Sequence, residues 1–192
     1  MKKFLTMLAT VLSVALFGGA VQADPLKVGF VYLTNPGDHG WTYAHEVGRK
    51  DVQSHFGDKV KTSVVENVPE GPDAERVIRE LVQQGNEVIF TTSFGYMDPT
   101  LRVAKEFPDV KFHHITGYKR SENMATGNIR FYEGRYVQGV VAGLMTKSNK
   151  IGYLGAFPIP EVIQGINAFA RGLRSVNKDA EVSIVWVNSW YD

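Results

Sequence analysis

The sequence predicts an α/β fold of two doubly wound lobes, each a parallel sheet with helices on its faces, the second lobe being truncated. Three observations predict it. Short β-branched apolar runs alternate with amphipathic stretches of helical period. The connections between them are short, and the alternation is broken once by a polar stretch before it resumes. Strands that alternate with helices pair in parallel through right-handed crossovers, which places helices on both sides of the sheet.

In the first lobe, residues 24–116, the predicted strands are Lys27–Tyr32, Val60–Val65, Glu87–Thr92 and Val110–Thr116. Helices are expected at Trp41–Phe56, Asp73–Gln84 and Pro99–Phe107, with Gly57, Gly85 and Pro108 standing where each must stop. Residues 117–127 hold Lys119, Arg120, Ser121, Glu122 and Asn123 and read as a crossover between lobes. The second lobe, residues 128–192, opens on a strand at Gly127–Arg130. It continues with a helix at Glu133–Thr146, a strand at Lys150–Leu154, a helix at Pro160–Ser175 and a strand at Glu181–Val187. A parallel sheet stopped there leaves an apolar face and an unpaired edge, so the chain is expected to be a fragment of a longer protein.

At the N-terminus, Lys2 and Lys3 precede an apolar and small-residue run from Phe4 to Ala20, followed by Val21-Gln22-Ala23. This is the pattern of a secretory signal peptide, residues 1–23, cleaved after Ala23. A membrane anchor would need about 20 consecutive apolar residues, usually with no cleavage pattern behind them. The chain has no cysteine, hence no disulfide and no lipid-bearing cysteine. The expectation is a freely soluble monomer in a periplasm. A net charge of +1 without a basic cluster excludes nucleic acid as the main partner.

Motifs of catalysis are mostly absent. Leu33-Thr34-Asn35-Pro36-Gly37-Asp38 after the first strand does not supply G-x-G-x-x-G, and no G-x-x-x-x-G-K-[ST] loop occurs. Thr91-Thr92-Ser93-Phe94-Gly95 stands where a nucleophile elbow would but lacks its first glycine. Ser93 as the nucleophile of an α/β hydrolase is therefore the alternative from another function class, and a turn serine is the plainer account. His113 and His114 are neighbours on a strand and point to opposite faces, so they cannot chelate one ion. His39 and His45 lack H-E-x-x-H spacing. No metal, cofactor or catalytic residue is assigned.

In open α/β sheets ligands bind beyond the carboxyl ends of the strands. Two loops there combine glycine, a carboxylate and large aromatics. One follows the first strand and holds Asp38, Trp41 and Thr42; the other follows the third and holds Ser93, Phe94, Tyr96 and Asp98. Aromatic faces beside hydrogen-bonding groups suit a flat heterocycle. Each residue has a structural account too: Trp41 and Phe94 as packing residues, Asp38 and Asp98 as helix caps, Asp98 being followed by Pro99. Glu133 favours its helix dipole in any case.

Glu133-Gly134-Arg135-Tyr136-Val137-Gln138-Gly139-Val140-Val141-Ala142 resembles the E-G-S-Y-L-x-G-x-x-A block of the basic membrane protein family of ABC-transporter substrate-binding proteins, which includes purine nucleoside receptors. Lys150-Ile151-Gly152-Tyr153-Leu154-Gly155 is similar to its K-I-G-F-x-G strand, and Phe107-Pro108-Asp109-Val110-Lys111-Phe112 to its x-P-D-V-K-F. Asp38-His39-Gly40-Trp41-Thr42 lies where the family has D-x-S-F-N, whose aromatic residue stacks on the base. Trp41 keeps the stacking face, while Thr42 replaces an amide. The resemblance implies a type I periplasmic-binding fold with two Rossmann-like lobes and no enzymatic activity. It implies a planar ligand, a purine nucleoside or base or a heterocycle such as riboflavin, delivered to an ABC permease in the inner membrane; with the two strand-end loops, the candidate ligand residues are Asp38, Trp41, Thr42, Phe94, Tyr96 and Asp98. A ligand-sensing regulator built on the same lobes is disfavoured by the signal peptide and by the lack of a leading helix-turn-helix.

Overall fold

The computed structural model describes residues 23–191. The apolar run and the first two residues of Val21-Gln22-Ala23 lie outside them. Five parallel strands form the first sheet: β1 (Leu26–Val31), β2 (Val60–Val65), β3 (Val88–Thr91), β4 (Lys111–Ile115) and β5 (Met124–Gly127). Their spatial order is β2-β1-β3-β4-β5, with the chain reversing direction of build at β1. Such a reversal opens a crevice at the carboxyl ends of β1 and β3, between the loops that leave them.

Helices α1 (Gly40–Phe56), α2 (Pro72–Gln83) and α3 (Met97–Glu106) cover this sheet. The two-residue period of β1 decides which helix meets which side chain. Val28, Phe30 and Tyr32 face one way and pack with Val60 and with Val52 of α1. Val31 faces the other way, into a larger core with Val77, Ile78 and Leu81 of α2 and Val103 and Ala104 of α3. On that face Gly29 lets α2 come close, since a Cβ there would lie 3.2 Å from Leu81 Cδ1. Under α1 the core is partly polar. Arg49 donates to both oxygens of Glu46, and Tyr32 Oη donates to the same carboxylate at 3.3 Å. The Arg49 guanidinium holds Glu46 below the usual carboxylate range, so this buried acid stays charged and paired.

The polar stretch around Lys119–Asn123 corrects the sequence reading. It is the return loop from β4 to β5 within the first sheet, and the strand expected at Gly127–Arg130 is instead Met124–Gly127, paired with β4. Asn123 makes the loop possible: its Nδ2 donates to the carbonyls of Ala104, Phe107 and Val110 at the end of α3. Parallel neighbours are normally joined by a dozen residues or more, usually a helix, so a short polar connection reads as a linker. The chain leaves the first sheet only after Gly127.

Beyond it, α4 (Phe131–Met145), β6 (Lys150–Gly155), α5 (Pro160–Val176) and β7 (Glu181–Trp186) form a second unit with β6 and β7 parallel. Phe169, Leu173 and Ala180 centre its core, with Ile151, Tyr153 and Val182 from the strands. Val137, Val141, Leu144 and Met145 of α4 and Ile184 and Val185 of β7 are exposed. Among the described residues no helix is long and apolar enough to cross a membrane.

Candidate functional site

A cleft of about 720 Å³ lies between the two units. From the first sheet come Phe94, in the loop after β3, and Gly117 and Tyr118, in the loop after β4. Asn128 and Tyr132 line it from the chain that leaves β5 and opens α4. The opposite wall is a flank of α5, with Glu161, Gln164, Asn167 and Arg171 following the helical spacing that puts them on one side. Three aromatic rings thus share the cleft with three side-chain amides. Burial pushes the Glu161 carboxyl above its ordinary range, against the hydrogen bond it accepts from Asn128 Nδ2.

The residues expected from sequence fall into different places. Phe94 lines the cleft. Trp41 is not among the residues that line it: its Nε1 donates to Thr92 O at 2.6 Å, and its ring lies 6.1 Å from that of Phe131, centroid to centroid, so it bridges α1 to the start of α4. It remains 40% exposed. Asp38 is exposed and contacts His39. Thr42 is buried, its hydroxyl 2.8 Å from that of Thr34. Tyr96 is fully buried in the core and donates its hydroxyl to Val68 O at 2.5 Å, so it faces away from the cleft. Asp98 pairs with Lys119 Nζ at 2.7 Å. It is not a helix cap, because α3 begins one residue earlier at Met97 and makes no side-chain cap bond. Asp38 is no cap either, His39 taking that position before α1.

The serine of the incomplete elbow is engaged. Ser93 Oγ donates to Glu70 Oε1 at 2.5 Å, and the Gly95 amide donates to the same oxygen at 2.9 Å. A serine nucleophile requires a histidine base that takes its proton. Ser93 gives its proton to a carboxylate instead. His113 and His114 diverge as the strand period requires: His113 lies against the Phe90 ring, while His114 is buried beside Thr91. Among the described residues no group of three or more His, Asp or Glu could hold a metal ion.

Sequence reasoning missed Tyr118, Asn128, Tyr132 and the α5 flank. Tyr118 follows a strand and answers to the same carboxyl-end rule as Phe94, but it lay in the stretch taken for a linker. The α5 residues carried no signal, since a polar stripe on an amphipathic helix reads as a solvated face.

A family model described as ABC transporter substrate-binding protein, PnrA-like, matches residues 26–192. A purine-binding protein of Brucella abortus is 57% identical over 186 residues, which cover 97% of this chain and 53% of that protein. A Haloferax volcanii protein whose name gives glucose as its ABC transporter ligand is 43% identical over 175 residues, 91% of this chain and 44% of that protein. The chain therefore spans about half the length of the curated relatives it matches. Among solved structures, an ABC transporter solute-binding protein of Aeropyrum pernix superposes with a TM-score of 0.68 at 20% identity, over 85% of this chain and 47% of that one.

Proposed function

This chain belongs to the PnrA-like family of ABC transporter substrate-binding proteins, and from that membership we propose that it captures a purine base or nucleoside for an importer. Its fold is the type I periplasmic-binding fold of solute-binding proteins. The observation that carries the ligand reading is the cleft, where the rings of Phe94, Tyr118 and Tyr132 stand with the amides of Asn128, Gln164 and Asn167. Stacking supplies contact area to a flat ring system, and amides, which donate and accept, match the mixed edge of a purine. The name of the Brucella relative supports the same ligand class. In this reading Trp41 and Asp38 add contacts from the loop after β1, as the family resemblance implies.

No chemical step is required of such a protein. It binds ligand between lobes, and hinge closure gives a membrane permease a closed form to recognise. The N-terminal pattern supports export to a periplasm with cleavage after Ala23, so protein expressed with that segment should be recovered from a periplasmic extract as a soluble monomer beginning at Asp24. Recovery only in detergent with the first residues retained would count against it.

The ligand test is a titration of the whole protein with adenine, guanine, hypoxanthine, their nucleosides, riboflavin and glucose, read by tryptophan emission and calorimetry. One purine or nucleoside should bind and perturb emission. Trp41→Ala and Phe94→Ala should each weaken it by about 1–3 kcal/mol, as for base–aromatic stacking, and Trp41→Phe should retain most of the affinity. Binding of glucose or riboflavin in place of every purine would overturn the ligand class. Labelling of Ser93 by a fluorophosphonate would instead favour the hydrolase.

A further inference from the structure

Glu70 lies in the loop between β2 and α2, outside the residues that line the cleft, yet its carboxylate reaches the loop after β3. The two donors it accepts, Ser93 Oγ and the Gly95 amide, flank Phe94 on either side. Gly95 is what admits the carboxylate, because a Cβ there would stand 2.3 Å from Glu70 Cδ. Phe94–Tyr96 is a single 3₁₀ turn, whose internal hydrogen bonding is poor, so an outside acceptor weighs heavily on its conformation. Hydrogen bonds to an ionised carboxylate are about twice as strong as neutral ones. The far end of the turn is tied to the same loop, since Tyr96 Oη donates to Val68 O.

We propose that Glu70 is a positioning residue for ligand binding, clamping Ser93 and Gly95 so that the Phe94 ring projects into the cleft. The proposal rests on the reading of that cleft as the ligand site. Glu70 acts through Phe94 and does not itself touch the ligand.

The test compares wild type, Glu70→Ala, Glu70→Gln and Gly95→Ala, each also in a Phe94→Ala background. Amide hydrogen exchange at Gly95, melting temperature and affinity for inosine and hypoxanthine are measured. Glu70→Ala should speed exchange at Gly95 by about tenfold or more and weaken affinity by about tenfold. Glu70→Gln, which keeps an acceptor oxygen, should retain most of the affinity, while Gly95→Ala, which displaces the carboxylate, should imitate the alanine variant. In the Phe94→Ala background removal of Glu70 should make no further difference, as expected for two residues acting as one unit. An equal loss with and without Phe94, a fall in melting temperature with affinity intact, or unchanged exchange at Gly95 would each overturn the proposal. Should neither probe bind, affinity is read with the purine or nucleoside that binds in the titration above, and exchange at Gly95 still decides the clamp.

Discussion

Gly172→Ala is expected to destabilise the protein by about 3 kcal/mol, although helix propensity alone predicts the opposite sign. Replacing a helix-interior glycine by alanine ordinarily stabilises by roughly 0.5–1 kcal/mol. Here a Cβ on Gly172 of α5 would stand 2.0 Å from the carbonyl oxygen of Tyr136 in α4. The reciprocal position, Gly139 of α4, would meet the carbonyl oxygen of Phe169 at 2.0 Å. One turn on, Gly143 would meet Val176 Cγ2 at 2.6 Å. At Gly172 and Gly139 the two helices therefore touch backbone to backbone, and no flexible side chain can move aside there to admit a methyl group. Gly134 provides the internal control, since it lies in the same helix as Gly139 and has nothing within 4 Å of its Cβ direction. Gly134→Ala should stabilise by about 0.5–1 kcal/mol. Urea unfolding of Gly172→Ala, Gly139→Ala and Gly134→Ala checks this, and a uniform gain across all three would show that the helices do not make this contact.

The same glycines show what the sequence carries. Gly134 and Gly139 belong to the block that matches the family, and Gly143 follows it, but which of them meets another backbone depends on where α5 lies. Secondary structure was legible where period and breakers agree. β2 falls at Val60–Val65 as expected, and α1 and α2 begin one residue before their expected starts. β5 was not legible, because its residues Met124–Gly127 include only one large apolar side chain and its connection lacks a helix. At the site, the carboxyl-end rule located Phe94 but could not separate it from Tyr96. A 3₁₀ turn sends one ring to the cleft and the other to the core, and that turn is set partly by Glu70, more than twenty residues away in the chain.

Stability should also fall steeply as pH drops from about 6.5 to about 4, and His114 should account for a large share of that fall. The imidazole is fully buried, and desolvation, with a smaller contribution from neighbouring His113, lowers its pKa to about 4. Its Nδ1 lies 2.9 Å from Thr91 Oγ1, which is itself 3.0 Å from Thr100 Oγ1, while Nε2 has no partner among the described residues. Among the described residues no carboxylate is in hydrogen-bond contact to compensate a second proton on the ring. Above pH 6.5 the ring is neutral in both the folded and unfolded states and the group is silent. Between 6.5 and about 4 the unfolded chain binds a proton that the folded chain refuses, so unfolding is favoured as pH falls. Below about 4 both states are protonated and the full loss, about 3 kcal/mol for a shift of this size, has been incurred. Glu46, held low by Arg49, and His45, lowered by burial, add acid sensitivity of the same sign, so the measurement must be a difference. The stability of wild type minus that of His114→Gln should decline by up to about 3 kcal/mol between pH 7 and pH 4. Independently of whether that variant folds well, the His114 Cε1 resonance of the wild-type protein should titrate near pH 4. A resonance that titrates near 6.5, or a stability difference that stays flat with pH, would mean that the ring accepts its proton inside the fold and that water reaches Nε2 beneath Gly117.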